Sequence, residues 1–178
     1  MQLAGELLTL LAGQFPQRLV HGVGDAAYHG KPLLVAATTW TTRLPASAAL
    51  HDLAPPPTGR RGRPALKGER LGTIAAPAKN AVWQTVTAER HGRVESVRIA
   101  EIACIWCGSF GSTPGRLVLV KDTGSARACD LALFTSGSDA AAAQIVERYA
   151  VRWSIEPSNA AGKQQMVSAR PVTGSRTR

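Results

Sequence analysis

IVERYAVRWSIEPSNAAGK, residues 145–163, is the stretch from which the rest of the chain can be read. At roughly 100° per residue on a helix, Tyr149, Arg152, Glu156 and Lys163 fall within a sector of about 60°. The apolar residues before them, Ala142, Ile145 and Val146, lie on or beside the same stripe, so a core-facing surface becomes charged at its far end. A buried-side Arg or Glu is tolerable only when paired, hydrogen-bonded or bound to a metal. Two readings follow: an ordinary Arg152–Glu156 i,i+4 pair, worth about 0.2–0.5 kcal/mol, or a site. Pro157 directly follows Glu156 and clashes with the turn before it. With Asn159 and Gly162 it weakens the helix ahead of Lys163.

Upstream, Ser138 and Asp139 form an N-cap pair, from which a helix is expected to run through AAAAQIVERYAVRW. At the other end of the chain, Leu3, Leu7, Leu8, Leu11 and Phe15 recur at helical spacing until Pro16, which predicts an amphipathic helix. RLVHGVG, residues 18–24, reads as a buried strand with Asp25 at its carboxyl end. In open α/β sheets ligands and catalytic groups gather at that edge. Tyr28, His29 and Gly30 form a turn, and LLVAATTWTTRL, residues 33–44, has the Val, Thr and Trp content of a strand.

The character changes at Pro45. APPPTGRRGRPALKGER, residues 54–70, carries four prolines and five basic residues against one acid, so an extended, solvated loop is expected. Arg60, Arg61, Arg63 and Lys67 on this arm are candidates for phosphate contact. Short alternating segments follow at 82–90, 93–100, 102–107, 116–121 and 130–135. Turns at His91-Gly92, 108–115 and 122–124 separate them, as in a β-rich meander. Residues 168–178 form a polar, basic tail of disordered composition.

The 178 residues hold 21 Lys plus Arg against 12 Asp plus Glu, a net charge of +9 and a pI near 10.3. That length suits one domain with a sizeable insertion, and that charge favours a polyanion, most commonly nucleic acid. No stretch reads as a membrane span or a secretory signal. Three cysteines fit a reducing cytosol. Cys104 and Cys107 form a lone CxxC within an apolar run. It reads as structural, with a small zinc-stabilised β module as the competing expectation.

Asp25 and Glu156 thus form a pair: one carboxylate at a strand end, one on a late helix, with a β-rich stretch between. Facing carboxylates beside a basic surface suit metal-assisted phosphodiester chemistry. Hard divalent cations take oxygen ligands, and two ions about 3.5–4 Å apart stabilise both oxygens of an in-line displacement. Arg152 and Lys163 would complement backbone phosphates. Tyr149 offers a ring or hydroxyl to a nucleotide, or packs as a core tyrosine.

VGDAAYHG around Asp25, together with Tyr149-x2-Arg152-x3-Glu156-x6-Lys163, resembles the second-aspartate motif and YREK signature of bacterial insertion-sequence DDE transposases. TTWTTRLP, GRRGRPALKGERLGT and ERYAVRWSIE are similar to one branch of that group. The resemblance implies an α/β fold with a partial ribonuclease-H-like core over residues 1–44 and a β-rich insertion over 45–135. The helix with Glu156 returns over 136–163, and a basic tail occupies 164–178. It implies Mg2+ or Mn2+ at Asp25 and Glu156. It further implies DNA contacts by Tyr149, Arg152, Lys163 and the basic arm, and cleavage and strand transfer at transposon ends. DNA is the implied partner, with self-association, in a cytoplasmic, nucleoid-associated setting. The family's first catalytic Asp comes from a strand upstream of the matched region, and no Asp precedes Asp25. The expectation is therefore a C-terminal, inactive remnant, with a non-catalytic DNA-binding protein as the alternative.

Overall fold

The computed structural model describes residues 1–57, 63–137 and 139–152. In chain order the elements are helix α1 (Gln2–Gln14), strand β1 (Val20–Gly24), a 3-10 turn at Lys31–Leu33, and strands β2 (Thr38–Arg43), β3 (Leu50–His51) and β4 (Arg70–Gly72). Then come helix α2 (Ala75–Lys79), strands β5 (Gln84–Arg90) and β6 (Arg93–Ile105), helical turn α3 (Cys107–Phe110), strands β7 (Pro114–Asp122) and β8 (Leu131–Thr135), and helix α4 (Ala142–Val151). The result is a mixed α/β architecture dominated by one sheet.

That sheet runs β1-β2-β8-β7-β6-β3-β4, with β5 also paired to β6. Only β1 and β2 are parallel among the described pairs; β2 with β8, β7 with β8, and β6 with β5 and β7 are antiparallel. The long strand β6 holds β7 along one edge and β5, then β3, along the other. The β5–β6 hairpin closes through His91 and Gly92, both at positive φ, the conformation that lets a two-residue turn match the strands' twist.

Period-two alternation splits the sheet into two apolar faces. On one face Trp40, Leu117, Leu119 and Phe134 meet Leu8 of α1 and Trp106 and Phe110 around α3. Phe110 and Phe134 stack at 5.1 Å. On the other, Val97, Val118, Val120 and Leu133 receive Ile145, Val146 and Tyr149 of α4. Arg116 reaches the carbonyls of Gly137 and Ala140, and Glu147 accepts the Glu89 N–H at 3.2 Å. These two contacts anchor α4 at its entry and midpoint.

Several local expectations are corrected. Helix α4 starts after Ala141 with no side-chain cap. Asp139 lies before the helix, and Ser138 lies outside the described residues. The 3-10 turn runs through Leu33 and a further turn lies at 36–37, so β2 begins only at Thr38. The segments 93–100 and 102–107 are one strand through Ile105, because β7 pairs continuously from Val97 to Ile105. Cys107 leaves that strand and opens α3. In α1 only Gly5 and Leu8 are buried, while Leu3 is 79% and Leu10 67% exposed. The helix touches its neighbour through a narrow stripe, since a Cβ at Gly5 would lie 2.2 Å from the Pro32 carbonyl oxygen.

The basic arm has a closed base. The Gly68 N–H donates to the Asp52 carbonyl at 2.9 Å and the Asp52 N–H to the Glu69 carbonyl at 2.8 Å, so β3 and β4 pinch the loop between them.

Candidate active site and nucleic-acid interface

The site forms where β1 and β2 end, beneath the last turn of α4. The parallel register pairs Gly24 with Thr42, and one residue further along each strand come Asp25 and Arg43. Trp40 fixes this end of the sheet. Its indole lies so close to β1 that a Cβ at Gly22 would meet the ring at 2.3 Å and one at Gly24 at 2.5 Å. Its Nε1–H donates to the Tyr28 carbonyl at 3.0 Å, tying down the turn that follows Asp25.

The Asp25 backbone is held from two sides. Its carbonyl accepts the Thr42 hydroxyl at 2.8 Å and the Tyr28 N–H at 2.8 Å. Its Oδ1 accepts the Ala26 N–H at 2.7 Å, which fixes the carboxylate's orientation while the side chain stays exposed. Its other oxygen accepts no hydrogen bond among the described residues. A fixed, solvent-facing carboxylate oxygen is a suitable ligand for a hard divalent cation.

Tyr149 comes down onto this edge from α4 and is 3% exposed. Burial pushes its hydroxyl pKa above the usual value; the Asp25 charge adds to the rise, while the Arg152 and Arg43 charges oppose it. The Arg152 guanidinium carbon lies 5.5 Å from the Tyr149 ring centroid. Tyr149 thus lies against Arg152, lines one cleft with Arg43 and feels the charge of Asp25. The structure thus brings together Asp25, Tyr149 and Arg152 of the sequence-derived set. Glu156, Lys163, Arg60 and Arg61 lie outside the described residues. Arg63 and Lys67 sit on the distant arm, where Lys67 Nζ donates to His51 Nε2 at 3.0 Å.

Sequence reading missed Arg43. It ends the strand-like stretch TTWTTR, but its place beside Asp25 follows only from the parallel pairing of β2 with β1. Beside this corner lies a cleft of about 140 Å³ along α4, lined by Arg43, Tyr149 and Val146 together with His91, Arg90 and Asp130. Arg90 is already committed to Glu95 and Asp122, each at 2.7 Å.

The cysteines stand apart from this corner. Cys104 is fully buried, and burial pushes its thiol up to about 12. Among the described residues no group of three or more His, Cys, Asp or Glu side chains could hold a metal ion. No helix among the described residues is long and apolar enough to cross a membrane.

The corner thus holds an oriented carboxylate at a strand end, an arginine at the end of the neighbouring strand, and a tyrosine and an arginine from the end of α4. The chain belongs to the transposase DDE domain family, whose model matches residues 3–174. No curated protein and no solved structure matches the chain.

Proposed function

We propose that the chain is a DDE transposase of the YREK-signature group, acting on DNA at transposon ends. In this reading residues 1–44 belong to a ribonuclease-H-like core, 45–135 are a β-rich insertion and 136–163 return to the core with Glu156. The observation that supports it most is the oriented Asp25 carboxylate at the end of β1, within the electrostatic reach of Tyr149 and its Arg152 neighbour, although Asp25 and Tyr149 are more than a hundred residues apart in sequence.

Asp25 and Glu156 would hold Mg2+ or Mn2+, with Asp25 offering an oriented carboxylate. Such an ion, when bound, supplies positive charge to the oxygens of an in-line displacement. The chain's own groups do the rest. Thr42 holds the Asp25 backbone carbonyl, and the Ala26 N–H orients the Asp25 carboxylate. Arg152 and Lys163 bind backbone phosphate, with bidentate geometry available to the arginine. Tyr149 sets the position of Arg152 through its hydroxyl and ring. Arg60, Arg61, Arg63 and Lys67 add phosphate contacts from the arm, consistent with a net charge of +9. Self-association belongs to the same reading: among the described residues β1 ends the sheet, and a strand edge is a template for pairing with a second copy.

The test is cleavage and joining of cognate transposon-end DNA with Mg2+ or Mn2+, wild type against Asp25→Asn. Loss of product in the variant supports the reading. Undiminished product would remove Asp25 from it. Tight binding with no product in either protein would identify a non-catalytic DNA-binding member of the family.

A further inference from the structure

Asp25 and Arg43 follow the last registered pair of two parallel strands, and both act electrostatically on the Tyr149 hydroxyl. Opposite charges so placed ordinarily neutralise each other, yet no ion pair joins them. The carboxylate is instead turned toward the Ala26 N–H. Both residues are exposed, and Arg43 opens onto the cleft along α4. A guanidinium beside an unneutralised carboxylate leaves each available to a third group. A phosphodiester suits the pair: guanidinium binds phosphate through parallel N–H donors, and the carboxylate suits a cation shared with a phosphate oxygen.

We infer that Arg43 is a positioning residue that binds the DNA phosphodiester facing Asp25, with the cleft beside Tyr149 receiving the adjoining backbone. This rests on the transposase reading and adds to it a residue that the signature motifs do not contain. Arg90, which also lines the cleft, is already paired with Glu95 and Asp122, and Asp130 adds a negative charge to the same lining. Phosphate selection on this side of the site therefore falls to Arg43.

The experiment measures binding of the full chain to a fluorescein-labelled DNA duplex by anisotropy, across a salt series with chelator present. Wild type, Arg43→Gln, Arg43→Lys, Asp25→Asn and the Arg43→Gln/Asp25→Asn double variant are compared, each checked for an unchanged thermal melt. Loss of one phosphate contact predicts that Arg43→Gln lowers the log-log salt slope by about 0.9, while Arg43→Lys keeps the slope and binds more weakly. Without metal, the Asp25 carboxylate repels the phosphate held by Arg43, so Asp25→Asn tightens binding in wild type and not in Arg43→Gln. A steep wild-type slope unchanged by Arg43→Gln overturns this inference and leaves the transposase reading standing. A reduced slope with an Asp25→Asn gain that persists in the double variant also overturns it, because the two residues then act on different phosphates. A flat wild-type slope removes both.

Discussion

The indole of Trp40 lies against the backbone of Gly24, the residue immediately before Asp25, with no room for a side chain between them. A Cβ on Gly24 would stand 2.5 Å from Trp40 Cζ2 and 2.7 Å from Tyr28 Cβ. Trp40 is 7% exposed and packed into the α1-side core, so the ring cannot swing aside without opening that core. The glycine lets two strands and a turn close around the point where the carboxylate emerges.

Gly24→Ala is therefore expected to destabilise the protein by about 1–3 kcal/mol, the usual cost of overpacking, and to shift the backbone of Asp25. Chemical denaturation measures the first effect. Gly13→Ala serves as the control, since nothing lies within 4 Å of a Cβ there.

Tyr149 separates packing from chemistry. Tyr149→Ala removes a ring buried between β-sheet and helix and should cost about 3–5 kcal/mol, as large aromatic truncations do. Tyr149→Phe keeps the ring and loses the hydroxyl near Arg152, at about 0.5–1.5 kcal/mol. Its larger effect is expected on DNA affinity, through a less fixed Arg152. The hydroxyl's raised pKa makes the folded state hold its proton more tightly than the unfolded chain. Tyr149 thus contributes stability that is complete below the ordinary tyrosine pKa near 10 and declines as pH rises past it. Tyr149→Phe should remove that part of the alkaline loss.

His21 gives a pH signature at the opposite end. It lies on the α4 side of β1, with Nδ1 2.6 Å from the Thr39 hydroxyl. Burial, helped by the nearby Arg148, lowers its pKa from 6.5 to about 4. Neutral His21 is therefore favoured in the folded state. Its contribution is fully present above pH 6.5, declines as pH falls from 6.5 toward 4, and changes no further below that. Denaturation midpoints measured across that window should fall in wild type and fall less in His21→Gln.

The basic arm predicts a change in salt dependence rather than in stability. Arg63 and Lys67 leave the hydrophobic faces untouched, so Arg63→Gln with Lys67→Gln should melt as wild type. If both contact phosphate, the log-log salt slope of DNA binding drops by about 1.8 in total. An unchanged slope would confine DNA contact to the strand-end corner.

Much of this was legible in the sequence. The period-two alternation of β5, β7 and β8, the glycine turn at His91-Gly92 and the position of Asp25 just past a strand all agree with the structure. The stripe through Ala142, Ile145, Val146 and Tyr149 is buried as its helical spacing implied. What failed was local and has physical causes. Leucine spacing in α1 implied a broad packed face, but contact is limited to a narrow Gly5–Leu8 stripe. The N-cap expected at Asp139 yields to Ala141, with Arg116 binding carbonyls ahead of the helix. The role of Arg43 depends on which strand pairs with β1, and strand order is a long-range property that periodicity does not encode. The same holds for Trp40, whose fit against Gly22 and Gly24 appears only once the parallel register is known.

Mn2+ titration of the 15N-labelled full chain tests most directly whether Asp25 binds metal as a carboxylate of a DNA-processing site. Paramagnetic broadening is predicted to begin at the amides of Gly24, Asp25 and Ala26, reach Arg43 and Tyr149 next, and disappear from all five in Asp25→Asn. Broadening that starts elsewhere, or that persists around residue 25 in the variant, would contradict the account.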